Sequence, residues 1–329
     1  MSDIPPATPE AAPSPAAARR AGGAPAAVRH GLTILLPAVA VFAVAPRIYP
    51  NGALLFAMMT FLVLAQGINV IFGFTGYLPF GYVGFFGTGA YAASLALLRL
   101  HLAWPLAMLA GAVAAALLAL LLMPLLRLSG AYFAIASLAA AEAMYQLVSN
   151  PALVPITNGP YGLSLQAVYD GPVSYGAMVG VLALTLAILI YLRTSRFGLA
   201  LQAIRDDPAS AATAGVDVVR SRALAWLLSA LMAGLAGGVY AWHVSVFYPD
   251  TVFDLSFTVF AIVFVLFGGP ATILGPLFGT LALYGLYDAI GISTPQYFQF
   301  IYGLLIVVLV LFLPEGLVSL LRRRGIRVP

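Results

Sequence analysis

The 329-residue sequence predicts an all-α fold: a polytopic transmembrane helical bundle of about ten spans with broken helices, its N- and C-termini cytoplasmic. Three observations predict it. Hydrophobic residues make up 62% of the chain and charged residues only 8%, whereas soluble domains are roughly a quarter charged, and the mean hydropathy is +1.02. Apolar runs long enough to cross a bilayer recur along the chain. The arginines are distributed asymmetrically between alternate loops.

The expected spans are 31–46, 53–72, 80–98, 104–126, 130–149, 174–193, 223–247, 255–269, 272–289 and 297–313. Residues 1–28, rich in Ala and Pro, read as a disordered tail, and 323–329 as a basic cytoplasmic tail; the transmembrane domain is 29–322. With the N-terminus inside, thirteen arginines are cytoplasmic, and only Arg47 and Arg99 face outward. The Pro-containing loop 150–173 then faces outward and has room for a short surface helix. The fragment 255–269 is short and ends at Gly268-Gly269-Pro270, which marks a broken helix, and the stretch 73–81 interrupts its neighbours in the same way.

The composition also excludes chemistry. There are no cysteines, hence no disulfides, thiolate metal sites or cysteine nucleophiles. All fifteen basic residues are Arg. A phosphate-binding P-loop needs its Lys, so the chain by itself is no ATPase of that type. The positive net charge sits on membrane-oriented loops and does not imply nucleic acid. No metal site is expected, since the three His are scattered. Inside the spans the main ionisable groups are Glu142 and Asp288, with His243 near an outer end. Glu142 is expected to bond a neighbouring helix and Asp288 to lie at a helix end near water. Two peripheral carboxylates make a poor acidic relay for an ion-coupled carrier, and a membrane hydrolase would want paired acids or metal ligands.

One polar island, Ser195 to Arg222, stands between apolar runs and cannot lie in hydrocarbon. It reads as two short helices joined at Asp206–Asp207. Asp207 followed by Pro208 is a helix start, Gly215 a stop, and Asp217 a cap for the next helix. Elsewhere glycines cluster. Ala230, Gly234 and Gly238, and likewise Gly275 and Gly279, recur every four residues on one helix face, as close helix packing requires. The broken stretches 73–81 and 268–276 are the expected lining of a pathway, with polar contacts from Asn69, Thr75, Tyr77 and Tyr82. The full candidate set adds Gly73, Gly76, Phe80, Gly81, Gly268, Gly269 and Thr272.

Several stretches taken together resemble the LivM-type permease of branched-chain amino acid ABC importers. GYLPFGYVGFFGTGAYAASL resembles the family's early glycine-rich block with its Gly89-Ala90-Tyr91 element, and GLALQAIRDDPASAATAGV its cytoplasmic loop. LSALMAGLAGGVYA resembles the following span, FGGPATILGPLFGT a later glycine block, and LFLPEGLVSLL the closing segment. The likeness covers roughly residues 50 to 322, in order and spacing. Pro79 and Tyr82 depart from it, standing where the family usually has Ser and His.

The resemblance implies an inner-membrane permease subunit for hydrophobic amino acids. It implies a LivH-like permease partner, two LivG/LivF-like ATPase subunits that hold ATP and Mg, and an extracytoplasmic binding protein; no cofactor is expected on this chain. It further implies that the island docks on the ATPases through Ala203, Arg205, Asp206, Asp207, Pro208, Ala211, Ala212 and Gly215. Arg205 is expected to pair with an acidic residue there. Urea or short amides carried by the same architecture, and an ion-coupled secondary transporter, remain as alternatives.

Overall fold

Helix dominates the chain because its backbone polar groups can be satisfied within one segment, away from water. The structure, a computed structural model, describes residues 35–293 and, beyond them, 303, 304 and 307; in the last long helix side chains are described as far as Leu286. The tails, nearly all of the expected span 297–313, the first residues of span 31–46 and the side chain of Asp288 lie outside the described residues.

In chain order the helices are α1 (Leu35–Arg47), α2 (Gly52–Ile68), α3 (Val83–Leu98), α4 (Trp104–Leu121), α5 (Ala131–Val148) and α6 (Gly171–Thr194). Then come α7 (Arg196–Asp206), α8 (Pro208–Thr213), α9 (Val218–Val244), α10 (Leu255–Gly268) and α11 (Leu274–Ser293). Among the described residues, six helical stretches are long and apolar enough to cross a membrane: Gly52–Gly73, α4, α5, α6, α9 and Pro249–Gly268. Three further expected spans contain shorter apolar helices, Leu35–Arg47, Val83–Leu98 and Leu274–Leu286. The 16 residues of α3 rise only about 24 Å, because irregular backbone at 76–82 occupies the rest of the expected span.

The centre of the bundle is α2, of which almost every residue from Met59 to Ile68 is fully buried. Against it pack α6, α9, α10 and α11, and a second group forms where α9 meets α3 and α4. Glycines set the approach of that second group. A Cβ on Gly89 would stand 2.3 Å from the Gly234 carbonyl oxygen, one on Gly111 2.7 Å from that of Gly89, and one on Gly237 2.0 Å from that of Phe86. Helix α10 meets α11 in the same way, a Cβ on Gly279 falling 2.2 Å from the Phe264 oxygen. Of the four-residue stripes in the sequence, Gly234 and Gly279 stand at backbone contacts between helices, while Gly238 faces the Ala93 side chain and Gly275 the carbonyl of Gly269.

Helix α5 is peripheral, packing chiefly on α3. Tyr132, Ile135 and Leu147 project outward from it, as do Leu109, Val113 and Leu117 from α4. Glu142 does not bond a neighbouring helix as expected. Its Oε1 accepts from Gln146 Nε2 at 2.8 Å, one turn along the same exposed face of α5. At the far end from the island, loop 150–173 contains single turns, including Val154–Thr157, and a strand β1 (Leu163–Ser164) antiparallel to β2 (Val246–Phe247). His243 is structural there: its Nδ1 shares a hydrogen bond with Ser174 Oγ at 2.8 Å, and its ring stacks on Phe56 at 3.7 Å.

Gly89→Ala should therefore destabilise the protein by about 1–3 kcal/mol, since the neighbour that must move is backbone. Gly176→Ala, where a Cβ meets nothing within 4 Å, should leave the melting temperature in detergent unchanged or slightly higher. Equal melting temperatures for the two variants would refute glycine-set packing.

Candidate functional site

The polar island forms a helical hairpin held by its own caps. Ser195 Oγ accepts from Gly198 N at 3.1 Å and starts α7, and Asp207 accepts from Ala209 N at 3.0 Å and Ser210 N at 3.2 Å and starts α8. The Ser210 hydroxyl, followed by those two amides, holds the Asp207 carboxyl below the usual aspartate range. Gly215, at φ +87°, ends the hairpin, and Asp217 caps α9 by accepting from Arg220 N at 3.0 Å. Leu201, Ile204 and Ala211 face inward, while Ala203, Asp206, Asp207, Pro208, Ala212 and Gly215 are exposed.

Two helices break nearby, and each supplies partners to the other. After Ile68, α2 continues as one π-helical turn, Asn69–Gly73, before the chain leaves the helix at Gly76, φ +81°. The second break follows α10, at Gly269 (φ +114°) and Ala271 (φ +63°). Asn69 Oδ1 accepts from Ala271 N at 2.8 Å, and its Nδ2 donates to the Thr272 carbonyl at 2.8 Å and to Gln66 Oε1 at 3.2 Å. Gln66 Nε2 donates to the Ile273 carbonyl at 2.8 Å. Both side chains are fully buried. Thr272 Oγ1 donates to the Gly269 carbonyl at 2.8 Å and accepts from Gly275 N at 2.9 Å, which caps α11. A Cβ on Gly73 would fall 2.0 Å from Asn69 Oδ1 and 2.7 Å from Ala271 N, so glycine is what lets the two breaks meet.

Three arginines tie the hairpin and its flanks to this region. Arg205 Nη1 donates to the Gly73 carbonyl at 2.7 Å, and Arg193 Nη1 to the Ala271 carbonyl at 2.6 Å. The Arg222 guanidinium lies 4.5 Å from the centre of the Tyr77 ring. Cations are favoured at such sites, because helix C-termini carry orphan carbonyls and the negative end of the helix dipole. Both breaks thus lie at the hairpin end of the bundle.

Next to the first break, the irregular segment 76–80 and the first half of α5 line a half-open apolar cavity of about 530 Å³. Its lining includes Gly76, Tyr77, Phe80, Phe133, Ala134 and Leu138. Of the candidate pathway residues, Gly76, Tyr77 and Phe80 face this cavity. Asn69, Gly73, Gly268, Gly269 and Thr272 belong to the junction of the two breaks. Thr75, Gly81 and Tyr82 are packed away from it. Thr75 Oγ1 bonds the Ile71 carbonyl of its own helix, and Gly81 lies against the Ser137 backbone. Tyr82 is 1% exposed and donates to the Ser229 carbonyl at 2.7 Å. Sequence reasoning missed Gln66, Arg193, Arg222 and the α5 wall. Gln66 and Asn69 did carry a signal: two amides three residues apart in an otherwise apolar run share one helix face.

Asn69→Leu should lower stability by about 1–3 kcal/mol for each of Ala271 N and Thr272 O left buried without a partner. Thr75→Val, which removes only a bond within one helix, should change the melting temperature little. An Asn69→Leu protein as stable as the parent would refute the junction as a structural tie.

A family profile described as "Branched-chain amino acid transport system / permease component" matches residues 52–310. The chain is 28% identical over 326 residues to the high-affinity branched-chain amino acid transport system permease protein LivM of Salmonella typhimurium (strain LT2), covering 88% of this chain and 75% of the relative. The LivM protein of Escherichia coli (strain K12) gives the same identity and coverage. No solved structure matches. A profile match across most of its length and several apolar spans lead to one conclusion: this multi-pass inner-membrane chain belongs to the branched-chain amino acid transport system permease family.

Proposed function

We propose that the chain is the membrane-spanning subunit of an ATP-binding cassette importer for branched-chain and related hydrophobic amino acids. The island faces the cytoplasm and docks on separate ATPase subunits, which bind ATP and Mg. A second permease subunit of the LivH kind completes the membrane part, and an extracytoplasmic binding protein delivers the solute. The observation that carries this reading is the exposed, self-capped hairpin whose Arg205 is bonded to the broken end of the most buried helix. Such an element can pass motion from a water-soluble engine into the spans.

The same geometry weighs on the alternatives. Tyr82, the departure from the family pattern, bonds Ser229 inside the bundle and does not face the cavity, so it supplies no reason to prefer urea or amides. Glu142 lies on an exposed helix face beside Gln146, a poor place for the central acidic relay of an ion-coupled carrier. An apolar cavity bordered by aromatic rings suits an aliphatic or aromatic side chain.

The absence of cysteine makes the test clean. A single cysteine introduced as Ala209→Cys should crosslink to an ATPase subunit in the assembled complex, with a yield that changes on adding ATP. Uptake with the cognate binding protein should be competed by leucine and phenylalanine and not by urea. Absence of crosslinks from every position in 203–215 would refute docking through the hairpin, and urea uptake unaffected by leucine would refute the substrate class.

A further inference from the structure

We propose that Arg193 and Arg205 are a pair of positioning residues, one holding each helix break, and that transport proceeds by release of the Arg205 bond while the Arg193 bond is kept. This rests on the importer reading above and adds to it a specific moving part.

The pair is set by the elbow at Ser195, which ends α6 and caps α7. Arg193 lies on the last turn of α6 and reaches the Ala271 carbonyl, while Arg205 lies on the last turn of α7 and reaches the Gly73 carbonyl. The elbow itself is tight: a Cβ on Gly198 would fall 1.6 Å from the Leu192 carbonyl oxygen. The first turn of α7 therefore moves with α6, and so does Arg193. Arg205, at the far end of the 11-residue α7, lies about 13 Å farther along that helix. A tilt of α7 about the elbow displaces Arg205 most and Arg193 least.

The two carbonyls also differ in what surrounds them. Ala271 belongs to the loop that Gln66 and Asn69 grip through three consecutive residues, so its position is set independently of Arg193. Gly73 ends a π-helical turn. Without the guanidinium its carbonyl becomes an orphan at a helix C-terminus, and the turn can tighten to the ordinary α-helical register. Asn69 anchors the start of that turn, so the change is passed forward, to Gly76 and the segment 76–80 that walls the cavity. The stem of Arg205 already lies beside Gly76, its Cγ 3.9 Å from where a Cβ would stand. A swing of the hairpin thus reshapes one wall of the cavity while the junction of the breaks stays in place.

The test uses the full complex with its partner subunits. Arg205→Gln should lower solute moved per ATP hydrolysed about tenfold, as loss of one charge-assisted bond allows. The amount of complex and the Ala209→Cys crosslink to the ATPase should be kept. Arg205→Lys, which retains a cation for the carbonyl, should restore the ratio to within about threefold of the parent. Labelling of a Leu78→Cys reporter in the cavity wall should depend on ATP in the parent and lose that dependence with Arg205→Gln. The inference is overturned if Arg205→Gln leaves the ratio unchanged, if Lys fails to rescue it, if the crosslink disappears, or if ATP still changes the labelling. A parent complex that moves solute without hydrolysing ATP would instead sink the importer reading itself.

Discussion

The grip of Gln66 and Asn69 on the backbone of residues 271–273 is what the rest of the structure depends on. A helix that stops inside a bundle leaves carbonyls and amides that hydrocarbon cannot satisfy. Here two helices stop beside one another. Two buried amide side chains on one of them bond Ala271 N, Thr272 O and Ile273 O on the other, much as a neighbouring strand would. Gly73, Gly268 and Gly275 leave room for this, since a Cβ at any of them would fall within 3 Å of facing backbone.

Around that junction the bundle is uneven. The group α3, α4 and α9 is packed backbone against backbone through Gly89, Gly111, Gly234 and Gly237, which leaves it little freedom to shear. By contrast α5 touches few neighbours and turns an apolar face outward. The cavity lies beside α5, with irregular backbone on its other wall.

The hairpin joins this region through arginines. Its basic residues are all arginine. A guanidinium can donate to a backbone carbonyl from a long stem, as Arg193 and Arg205 do, or lie over an aromatic ring, as Arg222 does on Tyr77. The polar island that stood out in the sequence is thereby tied to the first helix break, and Arg193, just ahead of it on α6, holds the second. Arg205, expected to serve an acidic partner on another protein, has its bond to the Gly73 carbonyl within this chain.

Helical class, the six long apolar helices and the hairpin with its Asp207, Gly215 and Asp217 punctuation were legible in the sequence. They rest on local rules: apolar length, side-chain caps and the tolerance of glycine for positive φ. The glycine stripes likewise announced close helix packing. Which helix each would meet was not legible, nor that Tyr82 points at Ser229 while Tyr77 faces a cavity. Those outcomes depend on residues more than a hundred positions apart: Asn69 with Thr272, Arg205 with Gly73, Tyr82 with Ser229. A helix break is written locally in Gly and Pro, but the groups that satisfy it come from wherever the fold brings them, and only the tertiary structure decides that.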